Sequence, residues 1–581
     1  MRSFLRWSLV VGLLGAAMWA QTATPESTTK ATTANKKRAA TAKEEEPKPK
    51  MATAEDLQAL RDALNQQIQK LEEELNKLQS AASQAQQTAQ TAVSQSAEQK
   101  QDVAAVRSDV TDLKSAVTTT TAALQETQKK MDESPIALRY KGIAITPGGF
   151  LAAETAWRQK ALASDVNSAF SAIPFAGSSQ SQMSEFFGSG RQSRLSLLAE
   201  GKLKHVKLTG YVEGDFLSAG VTSNNNQSNS YTLRQRQAWG QAALAGWTFT
   251  GGQMWSLVTE TRKGLGNGTE ALPMTIDAQY NVGFSWARQY GFRVTKKLGN
   301  TVWLGFSAEN PQTIFTAHGQ AANFLIGSAG TGGGLYNSTA NYSFNPAPDF
   351  VVKAAFEPGW GHYEIFGVVR QFRDRVFPNA LTGTPSAAGA YNDSRTGGGI
   401  GANARVALLN KHIDVGLHFL GGDGIGRYGT TTLPDATVRP DGTLALVRGA
   451  QALGTIEFHF PKFDIYTNAG TEYAGRTAYV NAAGNGVGYG SPLFSNFGCT
   501  TELVPGSSGF APTAPGNCTG DTRVFIEGTV GFWYRFYKGS KGTLQFGPQY
   551  SHVVRNTWYG ISGEPQGTDN MFFTSFRYYL P

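Results

Sequence analysis

From about residue 138 to the end, apolar and polar positions alternate in short segments joined by turns. One segment shows the pattern well. Val524, Ile526, Gly528, Val530, Phe532, Tyr534 and Phe536 form one set, and Arg523, Phe525, Glu527, Thr529, Gly531, Trp533 and Arg535 interleave with it. Successive side chains of a strand point to opposite faces. One face is therefore apolar with aromatic ends, and the other carries charge. A soluble sheet can alternate in the same way. Repetition to the last residues, with long loops on one side only, is the pattern of a transmembrane β-barrel.

Counting the beats gives the topology. Short turns fall near Gly201–Lys204, Ala245–Trp247, Leu298–Asn300, Pro358–Gly361, Leu409–Lys411, Phe460–Lys462 and Lys538–Lys541. Long polar stretches fall at roughly 159–190, 218–230, 258–281, 310–345, 374–394, 422–442, 480–521 and 557–568. Eight loops joined by seven turns predict an all-β, 16-stranded antiparallel transmembrane β-barrel over 138–581. Both termini then lie on the short-turn side, which is periplasmic in such barrels. Lipid tolerates no open sheet edge, so the sheet must close, and sixteen strands enclose an aqueous channel.

A different period precedes the barrel. Residues 51–133 contain no Gly and no Pro. Steps of four and three from Leu57 reach Leu64, Ile68, Leu71, Leu75 and Leu78, cross an Ala-rich middle, and resume at Val103, Val106, Val110, Leu113 and Val117. The register holds to Met131, which predicts a long α-helical coiled coil. Roughly 75 residues at 1.5 Å each make a rod on the order of 110 Å. A coiled coil needs partners, so an oligomer is expected, and the core pattern leaves two and three strands both open. A single amphipathic helix lying on the protein is the alternative.

The first fifty residues add targeting and a linker. Met1–Arg6 is a basic opening, and the apolar stretch that ends at Ala20 is too short to span a bilayer comfortably. Residues 1–20 read as a secretory signal peptide. Residues 21–50, rich in Thr, Ala, Lys, Glu and Pro, have almost nothing to bury and read as a disordered linker.

Composition then sharpens the picture. The chain has 581 residues, 66 of them Gly, and 11% aromatic residues, which suit strands, turns and interfacial girdles. Residues 1–137 hold 17 basic and 17 acidic side chains, and residues 138–581 hold 35 and 27, so the whole charge of +8 sits on the β-rich part. Export and scattered Arg residues argue against a nucleic-acid partner. The two cysteines, Cys499 and Cys518, share one loop of an exported chain and read as a disulfide staple. No metal-ligand spacing, serine-hydrolase elbow or phosphate-binding loop occurs, so no enzyme, cofactor or metal site is expected.

Lipid-facing charge at the midplane costs about 2–4 kcal/mol for Arg or Lys. Strand charges should therefore face inward. That assigns Arg194, Tyr211, Glu213, Asp215, Arg234, Arg236, Arg293, Arg405, Arg535, Arg555 and Arg577 to the channel lining. Net positive potential in a narrow passage concentrates anions. Solvated charges in a wide, unselective pore are the alternative. The loop at 258–281, with Arg262, Lys263, Glu270 and Asp277, is expected to fold inward and narrow the pore.

Segments Gly190–Leu195, Tyr211–Phe216, Tyr231–Ala238, Gly252–Ser256 and Ala287–Arg293 resemble the trimeric outer-membrane porins of the DcaP-like family. The resemblance covers mainly residues 190–295 and extends to the helical N-terminal region. It implies a sixteen-stranded homotrimer in outer-membrane lipid that passes small anionic organic solutes. The expected function is passive diffusion of small hydrophilic solutes with a bias to anions. Alternatives are a phosphate-selective porin, and an envelope tether or surface adhesin whose N-terminal region binds peptidoglycan.

Overall fold

The computed structural model describes residues 137–217, 232–277, 280–327, 343–508, 510 and 517–581, together with thirteen separate positions between 73 and 121. The chain divides into two units, Met1–Ala123 and Leu124–Pro581. The expected signal peptide, the linker and most of the coiled coil lie outside the described residues. In the first unit the described positions are helical, and Val110, Leu113 and Val117 are exposed. The hydroxyls of Thr111, Thr118 and Thr121 each donate to the carbonyl four residues earlier.

The second unit is a ring of sixteen antiparallel strands. They are β1 (Ile143–Arg158), β2 (Arg194–Leu203), β3 (Val206–Asp215), β4 (Arg234–Leu244), β5 (Trp247–Trp255), β6 (Arg288–Leu298), β7 (Val302–Glu309) and β8 (Asp349–Phe356). There follow β9 (His362–Val376), β10 (Tyr391–Leu408), β11 (Ile413–Asp423), β12 (Arg448–His459), β13 (Phe463–Ala474), β14 (Thr522–Gly539), β15 (Gly542–Thr557) and β16 (Gln566–Tyr579). Neighbours in sequence are neighbours in space. β1 closes the ring, because Ala144–Phe150 pairs with β2 while Phe150–Arg158 pairs with β16. Closure gives every strand of the ring a partner on each side. The seven short turns and eight long loops fall where the alternation places them, and both ends of the barrel lie on the short-turn side.

The wall is uneven. β2 to β8 are 8 to 11 residues long, whereas β10 and β14 reach 18. The outer face is apolar and exposed, with Leu195, Leu197, Val212, Phe249, Leu304, Ile365, Leu417 and Ile456 on it. Near the turn at 460–462 the outer aromatics form a belt, with Phe463 and Tyr534 ring centres 4.8 Å apart and Tyr534 and Phe536 4.9 Å apart. Such rings suit the boundary between apolar and wet layers. No described helix is long and apolar enough to cross a membrane.

The inner face is polar and buried, and one loop explains why. The segment between β5 and β6 meets β7 through Leu257 N–H donating to Glu309 (2.8 Å). It meets β15 through Ile276 N–H to Gln549 (2.6 Å) and β14 through Val282 N–H to Glu527 (2.7 Å). A segment that reaches such distant parts of a closed ring runs through its interior. The expected inward fold of 258–281 is therefore present.

Candidate functional site: the charged interior

The in-folded loop is anchored by its backbone. Gly283 N–H donates to Glu472 on β13 (2.8 Å), and Ser285 Oγ lies 2.9 Å from His418 Nε2 on β11. Lys353 Nζ on β8 donates to the Thr259 carbonyl (2.8 Å) and pairs with Glu364 on β9 (2.8 Å). Wall carboxylates thus serve as acceptors for loop N–H groups that would otherwise be stranded in a dry interior. Two glycines permit the close approach. A Cβ on Gly470 would overlap the Val282 carbonyl oxygen, and Gly283, at φ +87°, would overlap that of Ala452.

At its tip the loop carries charge into the wall. Arg262 pairs with Asp414 and Glu457 at 2.9 Å each. Glu260 pairs with Arg405 (2.8 Å), and burial pushes its carboxyl up to about 7 against the pull of that guanidinium. Burial likewise pushes the Asp277 carboxyl up to about 7, although Ser168 N–H donates to it (3.0 Å). Asp414, Glu457 and His459 place potential metal-ligand atoms within 4.8 Å of one another. Arg262 and Arg405 already sit on those carboxylates, so the group is an ion-pair network. Beside residues 272–275 of the loop lies a cavity of about 270 Å³, bordered by Asp464, Trp533, Gln545 and Arg577.

Six of the residues selected from the alternation come together on β2 to β4. Arg236 donates to Glu213 (2.6 Å) and Asp215 (2.8 Å). Arg234 grips Asp215 through two nitrogens, at 2.9 and 2.8 Å. Tyr211 Oη donates to Glu213 (2.9 Å), while Arg194 lies 3.7 Å from Glu213 and 5.1 Å from the Phe150 ring centre. The others are dispersed. Arg577 pairs with Glu154 (2.8 Å), and Arg405 pairs with Asp414 (2.9 Å) as well as Glu260. Arg535 pairs with Asp464 and donates to the Phe460 carbonyl at the short-turn rim (2.6 Å). Arg293 donates to Asn267 (2.7 Å) and the Trp255 carbonyl. Arg555, at the long-loop end, donates to Thr522 (2.9 Å) and the carbonyls of Ser171 and Ile173. Cys499 and Cys518 are joined as a disulfide.

Most of these arginines are thus compensated. A further arginine without a carboxylate partner among the described residues stands where β6 begins, and face-by-face reading of the strands does not select it. Arg288 is half-buried, 4.5 Å from the Trp286 ring centre and 4.9 Å from that of Trp255. No described carboxylate lies within 4.0 Å of it, and its Nη1 has no hydrogen-bond partner among the described residues. It feels Arg194, Arg234 and Arg236, so four guanidiniums face the two carboxylates of Glu213 and Asp215. Simple alternation hides it, because it shares the parity of the exposed Tyr290 and Phe292 and reads as outer-facing. Glu154, Glu364 and Arg370 also go unselected, although Glu364 and Arg370 share one face of β9 in simple alternation.

No family model matches the chain, and no characterised protein matches it by sequence. Solved structures do match. The outer membrane channel DcaP of Acinetobacter baumannii is 15% identical, with 76% of this chain and 99% of that chain covered and a TM-score of 0.51. OmpF of Salmonella typhi, at 9% identity, covers 77% and 100% with a TM-score of 0.40. An anion-selective porin from Comamonas acidovorans, at 11%, covers 75% and 100% with a TM-score of 0.39. Only the first of these is near enough to carry an argument, and what it carries is the fold.

Proposed function

We propose that the protein is an outer-membrane porin, a passive channel that passes small hydrophilic solutes and favours anions such as organic acids. The reading rests on one observation above the others: a closed sixteen-stranded ring, apolar outside, whose charged interior holds the cluster of Arg194, Arg234, Arg236 and Arg288 around Glu213 and Asp215. In a loop-narrowed, low-dielectric passage such an excess raises the local concentration of anions. The fold shared with the outer membrane channel DcaP supports the same reading. The channel lining would be Arg194, Tyr211, Glu213, Asp215, Arg234, Arg236 and Arg288, with Arg293, Arg405, Arg535, Arg555 and Arg577 along the rest of the path.

The ends of the barrel on the short-turn side would face the periplasm, together with the helical N-terminal region. Homotrimer assembly has two supports. The exposed Val110, Leu113 and Val117 occupy the a and d positions of the heptad, a seam that needs a partner. The outer face of β1 to β5 also carries an apolar groove of about 490 Å³, lined by Ile143, Ala199, Leu208, Gly210, Gly240 and Phe249. Small residues there let backbones of neighbouring copies approach. The test is osmotic swelling of proteoliposomes. Small dicarboxylates should enter faster than diamines of equal size. Equal rates would remove the anion preference, and no swelling would remove the channel.

A further inference from the structure

The wall has a lateral notch that the channel does not use. β10 pairs with β9 as far as Val376 opposite Tyr391, but with β11 only from Gly398 opposite Asp423. Residues 391–397 therefore stand above the ends of β11 and β12 with no strand paired to them on that side, and Leu444 N–H donates to Asp393 there (2.9 Å). Behind them lies a hairpin, Ala436–Val438 paired with Leu444–Leu446. The opening is a cavity of about 790 Å³ on the long-loop side.

Its lining is cationic and aromatic. Arg395, Arg439, Arg448 and Arg476 reach it, with Asp423 and Trp558. Arg448 pairs with Asp423 (3.0 Å) and is 77% exposed, and Arg395 pairs with Asp393 (3.1 Å). Arg439 donates to the Leu444 carbonyl and adds to the hydrogen bonds from Thr443 that, against burial, hold the Asp441 carboxyl low. Arg476 donates to the Tyr559 carbonyl (3.1 Å) and lies 4.8 Å from the Trp558 ring centre, with no described carboxylate within 4.0 Å. A guanidinium held by a carbonyl and a ring keeps donors free for an anion.

Register tells which side the notch opens to. Asp423 continues the outer face of Leu417 and Phe419, Arg448 that of Ile456, and Gly398 that of Ile400. Leu417, Phe419, Ile456 and Ile400 are all exposed apolar side chains. Asp423 and Arg448 thus stand at the long-loop end of the apolar outer band.

We propose that this notch holds the phosphorylated headgroup of an outer-leaflet lipid. Arg448 and Arg476 would take the phosphate, Trp558 the adjoining sugar or glycerol face, and Phe419 and Ile400 the first acyl segments. Charge complementarity and continuity with the apolar band both select this occupant. The proposal rests on the outer-membrane reading above, and its test separates the two.

The full-length protein in detergent is titrated with diphosphorylated lipid A and with its dephosphorylated form, and bound lipid is read by native mass spectrometry. Wild type should retain the phosphorylated lipid. The double variant Arg448→Ser/Arg476→Ser should weaken retention at least about tenfold, and Lys202→Ser/Lys204→Ser at the opposite rim should not. Heat-modifiable mobility on gels verifies that each variant is folded. Equal retention by wild type and the Arg448/Arg476 variant overturns the proposal, as does equal retention of the dephosphorylated lipid. Complete displacement by millimolar inorganic phosphate would mark a free-phosphate site and also overturn it. Dissociation of the Arg448/Arg476 variant into smaller oligomers would mark an interface between copies and overturn it too. Lipid discrimination by a protein that conducts no ions would leave this proposal standing and sink the channel reading alone.

Discussion

Replacing Arg288 by Met removes a charge with no described carboxylate within 4.0 Å and keeps an unbranched stem near Trp255 and Trp286. A unit charge about 6 Å from a passing ion contributes roughly 0.7 kcal/mol at a dielectric constant of about 80 and roughly 2.8 kcal/mol at about 20. A wet but loop-narrowed passage lies between these limits, nearer the first because Arg288 is only half-buried. About 1 kcal/mol is therefore at stake, near a fivefold change in local anion concentration. The assay is the zero-current potential of Arg288→Met against wild type in planar bilayers under a salt gradient. The anion-to-cation permeability ratio should fall about fivefold when the dilute side is near 0.1 M. The effect should shrink toward 1 M, where the screening length drops from about 10 Å to about 3 Å. A ratio within twofold of wild type at the lower salt, from a correctly assembled variant, would refute the role given to Arg288.

Three further outcomes follow from the in-folded loop and the helical region. Gly470→Ala places a Cβ on the Val282 carbonyl and breaks the bonds from Val282 and Gly283 to Glu527 and Glu472, each worth about 1.5–3 kcal/mol as hydrogen bonds to charged groups. Single-channel conductance should rise and trypsin should cut after Arg262 or Lys263, whereas wild-type conductance with a protected loop would contradict the loop's docking mode. Asp277 is protonated more readily in the docked loop than in a free one, because burial holds its carboxyl up to about 7 despite Ser168 N–H and the Arg158 charge, with Glu154 adding repulsion. Docking should then weaken by up to about tenfold for each pH unit of rise between about 4 and 7 and level off on either side; hydrogen exchange of the loop should show this slope in wild type and lose it in Asp277→Asn. Val110→Lys with Val117→Lys puts charge into the heptad seam and should lower the thermal dissociation temperature of the oligomer, read on unboiled gels, while an unchanged temperature would show that the barrel faces alone hold the copies together.

The topology is legible because barrels write it locally. Turns such as Ala245–Gly246 and Leu409–Lys411 carry positive φ in the structure, and Gly246 and Asn410 announce that need in the sequence. Alternation then assigns faces without knowledge of neighbours, so it puts Arg236, Arg405 and Arg577 on the correct side of their strands. Their partners are not legible. Arg577 meets Glu154 only because β16 closes on β1, and Arg405 meets Glu260 only because a loop enters the ring. Compensation is a long-range property, which is why a field inferred from scattered arginines narrows to one cluster once the acids are in place. Arg288 stays hidden because alternation with Tyr290 and Phe292 reads it as outer-facing, and its place against Trp255 and Trp286 depends on the in-folded segment.

The central claim is an anion-preferring channel, and the zero-current potential of the wild-type protein in a planar bilayer tests it most directly. Under a tenfold potassium chloride gradient the protein should insert in discrete conducting steps and settle at a potential of the sign set by chloride. A potential of the sign set by potassium would contradict the role of the arginine cluster, and the absence of any conducting step would contradict the channel itself.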